Sequence, residues 1–274
     1  MPFAKLPDAD IHYEIRGAGE PVLLVAGLGG AASYWNGNLA AFEAHHQVIL
    51  HDHRGTGQST KCEMPYSVEL MADDLLRTMD IAGVEKAHLV GHSTGGAIGI
   101  VLGAIAPERI ASLTLYATWA ELDAQMEACL TLRQRMLNAM GAAEYHRATP
   151  LFMYGPYYTR DNKAEIEAEI AAATAASPPA SIMSARVTGI LGFNGLQYLD
   201  RVRCPTMVLV AEDDILTPPY SSELIAMRIP HAEVVRLPRG GHAVSRAEPA
   251  LFNETVLAFL GQHAFSREVA NERA

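Results

Sequence analysis

An α/β fold, in which a parallel sheet is covered by helices and interrupted once by a helical insertion, is what this sequence predicts. Three observations carry that expectation. Residues 21–26 and 206–211 are continuous apolar runs of strand length, the pattern of strands buried on both faces. Residues 87–90, an apolar helical run and residues 110–116 follow one another at the spacing of a β-α-β unit, which calls for parallel neighbours. Between Trp119 and Asp200 the apolar residues keep helical spacing, and no strand resumes before Thr206. A chain of 274 residues has room for one such domain with a sizeable core.

Residues 11–15 alternate as an edge strand does, and Gly17-Ala18-Gly19 turns the chain after them. Residues 21–26 end in Gly27-Leu28-Gly29-Gly30. This loop lacks both G-x-G-x-x-G and a following Lys-Ser/Thr, so it reads as a donor of backbone N–H to an oxyanion rather than a phosphate cradle. Residues 48–50 form a third strand that runs into His51-Asp52-His53-Arg54-Gly55. His51 and His53 share one side of an extended segment, yet no further ligands are placed nearby, so no metal is expected. Ser67 caps a helix whose apolar positions Val68, Met71, Leu75 and Met79 recur at helical spacing up to residue 82. An alanine-rich helix over 165–176 is broken by Ser177-Pro178-Pro179. Residues 221–229 are helical, 233–237 a strand, 252–260 a closing helix, and the polar tail 267–274 a frayed end.

Composition narrows the function. With 49% hydrophobic and 19% charged residues the chain is an ordinary soluble globular protein. A formal charge of -10, with no basic patch, argues against nucleic-acid or anionic-membrane partners. Cys62, Cys129 and Cys204 are odd in number and far apart, which suits a reducing compartment and supplies no disulfide framework. The first residues lack the pattern of a signal peptide, and no apolar run reaches membrane-spanning length. A cytoplasmic protein acting on a small molecule is expected, with a homodimer left open.

Chemistry concentrates around Gly91-His92-Ser93-Thr94-Gly95. A serine between glycines, on a sharp turn from strand to helix, is the nucleophile-elbow pattern; the small flanking residues let backbones crowd. The helix that starts there directs the next N–H at a developing oxyanion. Acyl transfer also needs a base and a carboxylate that fixes the base's tautomer. An aspartate at a strand end, Asp213 or Asp214, and then His242 in a late loop supply the order Ser, Asp, His.

Gly27-Leu28-Gly29, Asp52-x-Arg54-Gly55-x-Gly57-x-Ser59, Gly91-His92-Ser93-Thr94-Gly95-Gly96, Asp214-x-x-Thr217-Pro218 and Gly241-His242 together resemble the α/β-hydrolase fold across nearly the whole chain. That resemblance implies a mostly parallel eight-stranded sheet, formed by residues 1–118 and 201–274, with a helical cap over 119–200 after strand six. It implies Ser93 as nucleophile, His242 as base and then acid, Asp214 rather than Asp213 as the triad carboxylate, and an oxyanion hole from the N–H groups of Leu28 and Thr94. No cofactor is implied.

More narrowly, Tyr34-Trp35, Pro150-Leu151-Phe152-Met153-Tyr154, Arg203-Cys204-Pro205 and Gly240-Gly241-His242-Ala243 resemble RutD-type aminoacrylate hydrolases, with enol-lactonases as relatives. Tyr34, Trp35 and Trp119 follow strands that lead to the site and are read as substrate contacts. Arg54 is read with them, as a cation for a small carboxylate; Arg133, Arg135 and Arg186 are further candidates. The activity expected is serine hydrolysis of a small ester, lactone, amide or carbamate through an acyl-enzyme. The alternatives are an aminoacrylate, enamine or C–C bond hydrolase, and a hydrolase-fold ligand receptor with weak turnover.

Overall fold

The computed structural model describes residues 2–265, so the expected fraying of 267–274 falls outside the described residues. Eight strands form one sheet: β1 (Phe3–Lys5), β2 (Asp10–Gly17), β3 (Glu20–Val25), β4 (His46–His51), β5 (Ala87–His92), β6 (Ile110–Tyr116), β7 (Thr206–Ala211) and β8 (Glu233–Leu237). Their order is β1-β2-β4-β3-β5-β6-β7-β8, antiparallel at β1-β2-β4 and parallel from β4 onward. Strand β1 is missing from the sequence reading, because three residues with one buried side chain are too short for alternation to register.

Helices α1 (Leu39–Glu43), α2 (Val68–Ile81) and α3 (Thr94–Ile105) lie between the early strands. After β6 come α4 (Ala124–Met140), α5 (Ala142–Ala148), α6 (Pro150–Met153), α7 (Pro156–Asp161), α8 (Lys163–Ala175), α9 (Ala180–Leu191) and α10 (Leu196–Leu199) with no strand among them. Then follow α11 (Pro219–Arg228), α12 (Val244–Ala247) and α13 (Pro249–Gln262). Local chemistry sets several of these limits. Ser67 caps α2 by accepting the Leu70 N–H at 3.0 Å, and Asp123 caps α4 through the Met126 N–H at 2.7 Å. Gly141, at φ 85°, allows the sharp passage from α4 to α5.

The strands carry apolar side chains on both faces, and their period of two divides the core. In β3, Leu23 and Val25 join Met71 and Leu75 of α2 and Ile98 of α3, whereas Val22 and Leu24 join Phe42 of α1 and Phe252 and Val256 of α13. Helices therefore cover both sides, and the carboxyl ends of the parallel strands are left to carry the site. The insertion is continuous with the first of these cores through Met126, Leu130, Val187 and Ile190. It also has a smaller core of its own, Leu137, Tyr145 and Met183, against which Leu28 packs. No described helix is long and apolar enough to cross a membrane.

Candidate active site

Ser93 stands between β5 and α3 at φ 52° and ψ −114°, a conformation that L-residues, which carry a Cβ, rarely adopt. Crowding explains why it is held there. A Cβ on Gly91 would come within 2.3 Å of the Gly95 carbonyl oxygen, one on Gly95 within 2.2 Å of the Val25 carbonyl oxygen, and one on Gly96 within 2.6 Å of Thr118. The turn is then fastened on both sides. The Ser93 N–H donates to the Tyr116 carbonyl at 2.9 Å, and the Ser93 carbonyl accepts from Ala97 N–H at 3.1 Å and from the Thr118 hydroxyl at 2.7 Å.

Strand β7 ends at Ala211, three residues before Asp214, and a single 3₁₀ turn over Gly241–Ala243 carries His242 to it. His242 Nδ1 lies 2.9 Å from Asp214 Oδ2, with both side chains buried. The Leu216 and Thr217 N–H groups donate to Asp214 Oδ1 at 2.8 and 3.0 Å, and the Thr217 hydroxyl donates to Oδ2 at 2.9 Å. This carboxylate therefore has one fixed orientation, and with Nδ1–H directed at it, His242 keeps its Nε2 lone pair free. Asp213 points elsewhere: its Oδ1 accepts the Gly241 N–H at 2.8 Å, which holds the histidine loop rather than the histidine. The two aspartates lie in the turn after β7, closed by the Asp214 N–H donating to the Ala211 carbonyl at 3.1 Å, and their side chains diverge there.

Below the elbow, the His92 ring packs 4.9 Å from His242 and stacks at 4.5 Å on Tyr34. Its Nε2–H donates to the His242 carbonyl at 2.9 Å, and the Tyr116 hydroxyl donates to the same oxygen at 3.0 Å. These two supports escape a motif search, because neither residue reacts; only His92's place beside the serine draws notice. The Gly27–Gly30 loop reaches the elbow from β3. A Cβ on Gly27 would lie 3.2 Å from Ser93 Cβ, so glycine there lets the loop, and the Leu28 residue that follows, approach the Ser93 turn closely.

The chain's match to a known family decides what this arrangement belongs to: the sequence model of the alpha/beta hydrolase fold matches residues 20–246. The chain belongs to the α/β-hydrolase family. A protein of Azorhizobium caulinodans named "Putative carbamate hydrolase RutD" is 45% identical over 262 residues, covering 96% of this chain and 99% of its own. A like-named protein of Caulobacter sp. strain K31 is 35% identical, over 93% and 97% of the two chains. Among solved structures, an enol-lactonase from Burkholderia xenovorans LB400 superposes with a TM-score of 0.87 at 23% identity, covering 95% and 100%; at that identity it speaks for the fold alone. A hydrolase from Pseudomonas aeruginosa PA01 does so at 0.85 and 28%, covering 95% and 98%. These findings support hydrolase activity.

The structure shows what surrounds the four residues read as substrate contacts: two are packed in the cores, one is held in an ion pair, and Tyr34 is half-buried. Trp35 is fully buried against Phe252, their ring centroids 6.0 Å apart, and Trp119 is buried against Phe193 at 6.1 Å. Arg54, only 2% exposed, is clamped by Asp74 at 2.6 Å and Asp8 at 2.7 Å, which leaves no guanidinium face for a substrate carboxylate. Tyr34 carries His92 on one ring face, the Arg246 guanidinium 5.7 Å from its centroid, and Ser245 Oγ 2.9 Å from its hydroxyl. All four follow strand ends, but a strand end fixes position along the chain and not the direction of the side chain. Trp35→Phe is accordingly expected to lower the urea midpoint while leaving KM for a short ester within about twofold. A large rise in KM at unchanged stability would return Trp35 to the pocket.

His51 and His53 stack at 4.9 Å, and among the described residues no group of three or more His, Cys, Asp or Glu side chains is gathered for a metal. Burial pushes His51 down to about 4 and holds His53 and His92 well below the ordinary histidine range. These rings are neutral in the folded protein, whereas the unfolded chain takes up protons near 6.5. The stability they contribute is complete above that value and is lost as pH falls through the depressed folded values. Urea midpoints are expected to drop between about pH 7 and pH 5, a range that carboxylates scarcely titrate. A flat midpoint there would contradict neutral burial of these histidines.

Proposed function

We propose that this protein is a cofactor-independent serine hydrolase acting on a small ester, lactone, amide or carbamate through an acyl-enzyme. The observation that carries the reading is the buried His242–Asp214 pair at 2.9 Å, with the His242 ring 4.9 Å from that of His92, the residue before a serine held at positive φ. In this reading Ser93 Oγ attacks the acyl carbon while His242 Nε2 takes its proton, and Asp214 stabilises the imidazolium so formed. The N–H groups of Leu28 and Thr94 receive the negative charge that develops on the acyl oxygen. His242 then gives the proton to the departing alkoxide or amine, and the acyl-enzyme is cleared when water repeats the sequence.

The relatives' names favour a carbamate among these substrates, since the proteins 45% and 35% identical to this chain are both named for carbamate hydrolysis. Helices α4 to α10 would form the cap that covers the site and selects the acyl group. An organophosphonate is expected to add its mass to Ser93 and to stop turnover of short esters and carbamates with the same time course. Turnover of an enamine or C–C substrate with no acyl intermediate in rapid quench would replace this reading with the base-catalysed alternative. Turnover slower than release of a bound ligand would favour a receptor.

A further inference from the structure

Tyr116 is the last residue of β6 and pairs in register with His92, the last residue of β5. Its carbonyl accepts the Ser93 N–H at 2.9 Å. Its side chain is fully buried, the ring 4.9 Å from that of Phe252 and 4.8 Å from that of His92. At the tip of the ring the hydroxyl donates to the His242 carbonyl at 3.0 Å and accepts the Ser245 N–H at 3.0 Å. One residue therefore holds the main chain of both Ser93 and His242.

The hydroxyl stands where the backbone would otherwise close on itself. In a 3₁₀ turn an N–H bonds to the carbonyl three residues back, so the Ser245 N–H and the His242 carbonyl are each other's natural partners. Here the tyrosine oxygen is inserted between them, accepting from the one and donating to the other. Burial keeps the Tyr116 phenol well above the ordinary tyrosine range, so the proton it donates stays in place. Without the hydroxyl, the Ser245 N–H would be left buried and unpaired unless the loop closed on the carbonyl directly. Closure replaces two bonds of 3.0 Å in series by one of about 2.9 Å, which displaces the His242 main chain.

That displacement would act on the base. Asp214 fixes the His242 ring at Nδ1, while Tyr116 and His92 fix the peptide from which the ring hangs. Both donors are tied to Ser93, His92 as its covalent neighbour and Tyr116 through the Ser93 N–H. The spacing of the two main chains is thus set by packed aromatic side chains with few rotatable bonds rather than by the loop itself.

We propose that Tyr116 is a positioning residue for hydrolysis: its hydroxyl, inserted between Ser245 and His242 while its carbonyl holds Ser93, sets the reach of the base to the nucleophile. The inference rests on the serine-hydrolase reading above.

Tyr116→Phe is expected to lower kcat for p-nitrophenyl acetate by ~10–100-fold with KM within about twofold. Inactivation by a p-nitrophenyl phosphonate, which needs the same proton transfer from the serine, should slow by a similar factor. Acetate, a ground-state product, should bind as in the parent. Phe252→Leu loosens the packing of the same ring and leaves its hydroxyl, so it controls for a merely structural role. It should lower the melting temperature at least as much as Tyr116→Phe, yet keep kcat within about threefold of the parent. With p-aminophenylalanine at this position, whose amine is a weaker donor, inactivation should run at a rate between those of the parent and Tyr116→Phe. Unchanged kcat in Tyr116→Phe, a loss confined to KM, or an equal loss of kcat in Phe252→Leu would each overturn the proposal. If Tyr116→Phe does not fold, the p-aminophenylalanine protein is compared with the parent, and equally fast inactivation would overturn it. Ser93→Ala, run alongside, separates the two failures. Its retaining turnover would remove the serine reading and this inference together, whereas its inactivity beside a fully active Tyr116→Phe would remove only the inference.

Discussion

Ser93→Ala is expected to reduce kcat for an activated short-chain ester by at least ~10⁴-fold while leaving the fold intact. The size follows from the proposed role: without the hydroxyl no acyl-enzyme can form, and what would remain is polarisation of the substrate's acyl carbonyl by the proposed Leu28 and Thr94 donors toward direct attack by water. Stability should change little or improve slightly, because alanine keeps the packing and the backbone bonds to Tyr116 and Thr118 do not involve the hydroxyl. Some of the strain at φ 52° persists in either residue, since both carry a Cβ. Steady-state kinetics with a thermal melt on the same sample decide the matter. Turnover within about tenfold of the parent would mean that Ser93 is not the nucleophile.

Asp74→Ala is expected to destabilise the protein by about 3–5 kcal/mol, the cost of leaving a buried cation without its buried partner. Arg54 and Asp74 are both almost fully buried, and two hydrogen bonds, at 2.6 and 2.9 Å, join them. The Asp74 carboxylate is also what holds Arg54 firmly charged. Asp8, the second acid on Arg54, has a side chain 61% exposed, so water and counterions share its attraction. Asp8→Ala should therefore cost no more than about 1 kcal/mol. Replacing the buried pair together, Arg54→Met with Asp74→Leu, should recover much of the loss, because no charge is then left stranded. Urea unfolding of the three variants measures the contrast. Equal effects at Asp8 and Asp74 would mean that Arg54 is solvated, and the possibility that it receives a substrate anion would reopen.

The route from sequence to structure was clearest where a residue type has one physical use. The apolar runs of β3, β5, β6 and β7 could only be strands buried on two faces, and Ser67 could only start a helix. The glycines at 91, 95 and 96 announced a crowded turn, and the contacts their absent side chains would make explain why. Legibility faded where many uses compete. An arginine near a strand end reads equally well as a substrate cation or as a buried ion pair, and Arg54 is the latter. Trp35 and Trp119 follow strands toward the site, yet their large apolar surfaces are taken up by the two cores.

By itself the sequence determined the order of the elements, the elbow, and the set of residues from which a nucleophile, a base and a carboxylate could be drawn. Periodicity and steric permission are local properties, so a chain states them without needing to fold. Only the tertiary structure decided that Asp214 meets His242 while Asp213 holds its loop. It alone placed His92 and Tyr116 on the His242 carbonyl and brought Arg186 from α9 to the Leu28 carbonyl, 158 positions away. Those facts depend on side-chain direction and on contacts between segments remote in sequence. Neither is encoded in any one stretch of the chain, and both appear only once packing has fixed which surfaces meet.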